Sequence, residues 1–249
     1  MRPILIGLLL CSLLGCSNGP VARHSAWPDR QVRQLVLVLT PDWDASSGQL
    51  QRFERVGEGR WQPLGSPTRV SVGRAGSAWG LGLHPAQPGT QKREGDGRAP
   101  AGVFALGPAF GYAPTDRTRM PWLALEATDW CIDVPGSPYY NRLVDRREVG
   151  EQAIAGSSEP MRRDIHLNGD QRYRQGVVIE HNAGGIDGAG SCIFVHLWQT
   201  PGQPTAGCTA MDEGTMRALL DWLDPAARPR LVLLPQIEYD RLRSAWELP

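Results

Sequence analysis

His196 and Cys208 stand on either side of a short loop in the stretch SCIFVHLWQTPGQPTAGCTAM, residues 191–211. They are the residue types that make a nucleophile and its proton acceptor. A cysteine attacks as the thiolate, and a neighbouring imidazole both lowers the thiol pKa by ion pairing and later returns a proton to a leaving group. On that chemistry Cys208 is the nucleophile and His196 is the base, then the acid. Gly207, immediately before the thiol, permits a sharp turn without interference from a Cβ, and the amides around it suit a developing oxyanion. Taken singly, a buried cysteine is more often a small core hydrophobe and a strand histidine is more often just hydrogen-bonded in place. The pairing across a loop punctuated by Pro and Gly is what gives the stretch chemical content.

The elements that must hold this pair are short strands and one helix. Residues 192–197 are an apolar run rich in β-branched and aromatic side chains, which reads as a buried strand with His196 near its end. Residues 200–204 then turn the chain so that Ala206, Gly207 and Cys208 come back alongside. After the cysteine, Asp212 can cap a helix whose Met216, Leu219, Leu220 and Leu223 recur at helical spacing until Pro225 stops it. Further strands are expected at residues 34–40, 50–56, 68–72, 103–106, 122–125, 131–134, 177–180 and 231–234. With 29 Gly, 21 Pro and little helical periodicity, the chain should be mainly β and built of many short strands. His181 and Asn182 end the 177–180 strand and are candidates to line the cleft from a neighbouring strand. Residues 137–175, charged and without apolar period, should form a long excursion from the sheet. Tyr139, Tyr140, Asn141 and Arg142 in it are candidate substrate contacts, against the plainer reading of a solvated loop.

Composition removes several function classes. Lys plus Arg and Asp plus Glu both number 26, so there is no basic field of the kind that nucleic-acid binding needs. Lys92 is the sole lysine. The stretch GDGRAPAG at residues 95–102 lacks the GK[ST] ending of a phosphate cradle and opens no helix. His181, His196 and Cys208 make a weak zinc set, because no close-spaced ligand pair accompanies them, and no metal or other cofactor is expected.

The order of a strand histidine, a loop, then Ser/Thr, any residue, Gly and Cys, here His196 followed by Thr205, Ala206, Gly207 and Cys208, resembles the signature of the L,D-transpeptidase (YkuD-like) catalytic domain. RAPAGVF at residues 98–104 is similar to that family's TPxGxF segment, and the resemblance runs from about Gln34 to Pro235. It implies a YkuD-like β-sandwich or other β-rich single domain. It also implies a cysteine peptidyltransferase acting on peptidoglycan stem peptides; Thr205, Gly207, Thr209, His181 and Asn182 are the expected oxyanion or substrate contacts. The sequence departs from the pattern at Ala206 and Ala210, where the family commonly has His and Arg, at Leu197, where Gly often follows the histidine, and in a shorter loop. The same site with water as acceptor would be a carboxypeptidase or endopeptidase. A wall-binding module without turnover is the alternative outside enzymes.

The amino terminus carries an export reading. Arg2, an apolar run over residues 4–14 and Gly15 before Cys16 resemble a lipoprotein signal, in which cleavage before Cys16 leaves it lipidated at the periplasmic side of the cell envelope. The expected organisation is a signal at 1–15, a tethering linker at 16–33, the catalytic domain at 34–235 and a tail at 236–249. Nothing beyond the signal is long and apolar enough to span a bilayer, and oligomeric state is left open. After processing, Cys131, Cys192 and Cys208 remain, an odd number in an oxidising compartment. A Cys131–Cys192 bridge with Cys208 free is the economical solution; buried free thiols are the alternative.

Overall fold

The computed structural model describes residues 27–55 and 59–249. The chain forms β1 (Gln34–Thr40), β2 (Ser47–Arg55), β3 (Trp61–Ser71), β4 (Ser77–Trp79), β5 (Ala99–Gly111), β6 (Trp122–Ala124), β7 (Asp129–Cys131) and β8 (Leu143–Asp145). After the one-turn helices α1 (Arg146–Val149) and α2 (Glu151–Ile154) come β9 (Glu159–Pro160), α3 (Arg163–His166), β10 (Gln175–Ile179), β11 (Phe194–Leu197) and β12 (Thr209–Met211). α4 (Glu213–Trp222), β13 (Arg230–Pro235) and α5 (Gln236–Leu242) complete it. The protein is mainly β, as its Gly/Pro-rich, strand-dense sequence implies.

The strands run in the order β10-β11-β12-β3-β2-β1-β13-β5, and β5 pairs back onto β10, so the main sheet closes into a barrel-like ring. Its thinnest seam is between β12 and β3, where the single pair Ala210 with Ser71 joins the strands. Continuous apolar runs such as β1 are buried on both faces, with Leu35, Val36, Leu37 and Val38 all inaccessible or nearly so.

Alternation along β10, β11 and β12 sorts their side chains between two cores. Val177, Val195, Leu197 and Met211 enter the main core, where Met216, Leu219, Leu220 and Leu223 of α4 also pack. Phe194 and Cys208 face the other way, into a smaller cluster with Phe110, Leu125, Cys131, Met161, Tyr173 and Cys192. α4 begins as expected: Asp212 accepts from Thr215 N at 2.9 Å, capping the helix that follows the cysteine.

The region over residues 137–175 does leave the main sheet, but it is no solvated loop. β8 and β9 pair with β7 in a separate three-stranded sheet, and Met161 and Tyr173 cover the smaller core. The Cys131–Cys192 disulfide ties this cap to the chain just before β11. Tyr140 is buried and gives its hydroxyl to Glu94 at 2.5 Å, and the Asn141 side chain donates to the carbonyls of His181 and Asn182 while accepting from Cys192 N. Those two residues hold the cap down and are not free to meet substrate.

Both expected domain edges move outward. Trp27 and Val32, assigned above to the linker, are core residues, and the segment expected as a tail contains α5 and the buried Trp246 and Leu248. Trp246 stacks on His84 with ring centroids 5.4 Å apart. These anchors are single large residues in polar surroundings, a pattern without period. The signal, Cys16, the rest of the linker before Trp27, and Val56 at the end of the second expected strand lie outside the described residues. No helix among the described residues is long and apolar enough to cross a membrane.

Candidate active site

β11 and β12 run parallel with Val195 opposite Thr209 and His196 opposite Ala210. Cys208, two residues before Ala210, therefore shares a face with His196 as its diagonal neighbour, a relation that puts Cβ atoms about 7 Å apart. The loop between them is fastened before it reaches the cysteine: Thr205 N donates to Val72 O at 2.9 Å and Arg74 N to Thr205 O at 2.8 Å. The Thr205 hydroxyl then accepts from Gly207 N at 3.1 Å and donates to Cys208 O at 2.6 Å. One side chain thus fixes both sides of the turn that presents the sulfur. Gly207 packs closely on the chain before β5, since a Cβ there would lie 3.0 Å from the Arg98 carbonyl, a tight contact.

His196 Nδ1 lies 2.7 Å from Leu197 O. A carbonyl only accepts, so Nδ1 carries the hydrogen and the lone pair sits on Nε2, which has no hydrogen-bond partner among the described residues. The imidazole is also fixed by an edge-on contact with Tyr173, centroids 5.3 Å apart. Cys208 Sγ accepts from Phe194 N at 3.3 Å and donates to Cys192 O at 3.5 Å. No hydrogen bond joins sulfur and imidazole.

Both groups are buried, at 8 % exposure for Cys208 and 4 % for His196, and this reverses the electrostatics expected from the sequence. Burial pushes the thiol up to about 12, with the Glu159 carboxylate adding to the effect. Burial pulls the imidazole down to about 4. The resting pair is therefore a neutral thiol beside a neutral imidazole, not a thiolate–imidazolium ion pair. What this arrangement can do is general-base catalysis, in which the sulfur loses its proton to Nε2 as it attacks.

The cap contributes residues that the sequence did not single out. Tyr173 is buried and donates to Glu159 at 2.7 Å, and Arg163 reaches the same carboxylate at 2.7 Å and Asp170 at 2.9 Å. Arg172 holds Asp170 from the other side. Burial works against ionisation of Asp170, but its guanidinium partners hold it down at about 2. Tyr173 couples this network to the face that carries His196 and Cys208, lying edge-on against the His196 ring. In the sequence these residues are ordinary charges in a polar stretch; the only signal was that a stretch rich in Arg and acids also carries Met161 and Tyr173.

The remaining expected contacts are elsewhere. His181 is buried and fully bonded, accepting at Nδ1 from Leu81 N at 3.2 Å and donating from Nε2 to Ala189 O at 3.0 Å. Asn182 donates to the carbonyls of Ile186 and Gly190 and accepts from Ile186 N, so it shapes its own loop. Thr209 points to the main-core side, with its hydroxyl buried and unpaired. Gly207 is not a free oxyanion donor, because Thr205 already takes its N–H. The expected disulfide is present between Cys131 and Cys192, and Cys208 is the free cysteine among the described residues.

A pocket of about 180 Å³ adjoins the smaller core, lined by Phe194, Val178, Glu180, Pro108, Asn141 and the disulfide at Cys131. A larger one, about 720 Å³, opens at Arg30, Arg55, Trp61 and Arg243, but it holds no histidine or cysteine and shares no residue with the surroundings of Cys208. Among the described residues no group of His, Cys, Asp and Glu is arranged to hold a metal ion. No known family and no curated protein matches the chain.

Proposed function

We propose that the protein is a cell-envelope cysteine acyltransferase of the L,D-transpeptidase type, acting on peptidoglycan stem peptides. The observation that carries this reading is the diagonal pair Cys208 and His196, with the imidazole hydrogen fixed on Nδ1 by Leu197 O and the Nε2 lone pair without a hydrogen-bond partner among the described residues. Cys208 Sγ adds to the scissile carbonyl as its proton passes to His196 Nε2. The carbon–nitrogen bond then breaks, the departing amine takes that proton, and a thioester remains. An acceptor amine attacks the thioester, gives its extra proton to His196, and the thiol is regenerated. With water as acceptor the same steps give hydrolysis. Ala206 and Ala210 leave this chemistry intact and remove polar contacts to substrate, so narrower substrate binding is expected. The anchor proposed at Cys16 would tether the enzyme to the membrane, and Cys16→Ser should release a folded protein into the soluble fraction.

The burial of both groups favours one rival, a wall-binding module without turnover. Intact-mass analysis after incubation with stem tetrapeptide or a carbapenem separates the two. An acyl mass mapped to Cys208, absent in Cys208→Ala and slowed about a hundredfold or more in His196→Ala, is the expected result. A folded protein left unmodified by several donors would move the assignment to the binding module.

A further inference from the structure

The pocket beside Phe194 has one conspicuous polar group. The Glu180 carboxylate lines it and has no hydrogen bond or ion pair to any described residue, whereas the other polar side chains around it are engaged. Asn141 spends both amide hydrogens and its oxygen on backbone groups, and the His181 ring is bonded at both nitrogens. The carboxylate lies over Gly107 of β5, where a Cβ would come within 2.3 Å of Oε1. A side chain at that position would move the carboxylate from where it now lies. Burial raises its pKa with no partner to offset the cost. Half-buried acids without partners are costly, and the cost is recovered when a cation arrives.

The pocket also touches the catalytic face. Phe194, which lines it, is the residue whose amide meets the Cys208 sulfur, and Cys131, which also lines it, is bonded to Cys192, whose carbonyl meets the same sulfur. In the sheet Val178 stands opposite Phe194, so Glu180 lies two residues along and two strands across from Cys208, roughly 12 Å between Cα atoms. That distance is too long for the amine that leaves or attacks. It suits a charged group one side chain away from the scissile carbonyl.

Resting on the acyltransferase reading, we propose that Glu180 is the subsite for a free ammonium group of the peptide substrate, borne on a side chain or terminus that takes no part in the reaction. The apolar walls from Val178, Phe194 and the disulfide hold the methylene stem, and the carboxylate holds the charge. The site selects substrates by a cation and leaves the attack by Cys208 unchanged.

Calorimetry on the Cys208→Ala protein tests this without turnover, using a tetrapeptide with a lysine ε-ammonium and the same peptide acetylated on that nitrogen. The ammonium peptide should bind about tenfold tighter, the scale of one charge-assisted contact. Adding Glu180→Gln, which keeps size and shape, should erase the difference. Equal binding of the two peptides, no binding of either, or a preference that survives Glu180→Gln overturns the subsite. Acylation of Cys208 in the wild-type protein by a donor lacking an ammonium reports the catalytic reading separately. Its absence would fell that reading without bearing on the peptide preference.

Discussion

The backbone N–H of Phe194 donates to the sulfur of Cys208 at 3.3 Å, across the junction of β11 with the turn before β12. That bond, with the one the thiol gives to Cys192 O, occupies the sulfur in the resting structure, where no hydrogen bond joins it to the imidazole. The thiol is thus positioned by the sheet and kept neutral by its burial.

Because burial pushes the Cys208 thiol up to about 12, its thiolate fraction should rise about tenfold per pH unit through the neutral and mildly alkaline range. Iodoacetamide labelling followed by mass should therefore be slow at pH 7 and climb steadily to pH 10. A fast, pH-independent rate near neutrality would mean that the ion pair forms in the resting protein.

Acid should weaken the fold in a defined window. His196 and His181 are both held near 4 by burial, below the usual value of 6.5, so the folded state favours their neutral forms. Their contribution is complete above about pH 6.5 and is lost as pH falls toward 4. Glu159, raised chiefly by burial, shifts the other way and offsets part of the loss. Urea midpoints should fall between pH 7 and pH 4.5; an unchanged midpoint would contradict the buried neutral histidines.

Two neighbouring threonines should behave differently. Thr205→Val removes the hydroxyl that bonds Gly207 N and Cys208 O, which should cost about 1–3 kcal/mol and slow acylation of Cys208. Thr209→Val replaces a buried hydroxyl without a partner and should be neutral or stabilising. Paired denaturation curves measure both, and equal losses would refute the assignment of the turn to Thr205.

Removing the disulfide should loosen the cap. The bridge spans a sequence separation of 61, and closing a loop of that size is worth about 4 kcal/mol in the chain-entropy account. The Cys131→Ser, Cys192→Ser double variant should show that order of loss by denaturation. Its Cys208 should label faster, because Cys131 belongs to the cap sheet and Cys192 to the chain entering β11. A stability loss without faster labelling would show that the cap stays closed on its hydrogen bonds and ion pairs alone.

What the sequence determined by itself was local. Apolar runs marked β1, β11 and β13, Asp212 and the Leu-rich spacing marked α4, and cysteine parity pointed to the bridge between Cys131 and Cys192. The strand, loop and Gly-Cys order brought His196 and Cys208 to neighbouring strands. Tertiary structure decided the rest. Whether a thiol beside an imidazole rests as an ion pair depends on how much water each retains, and the cap built from residues 137–175 removes it. Cys192 itself falls outside the strand expected at 192–197 because its φ is +55°, a left-handed conformation supported by the Asn141 side chain from the distant cap. Trp27, Trp246 and Tyr173 are anchors without period, so nothing local distinguishes them from exposed aromatics. The roles expected of His181, Asn182 and Thr209 turned on which face and which partners the fold assigns them. Such burial and partnering are properties of segments far apart in the chain, and spacing within a single element does not carry them.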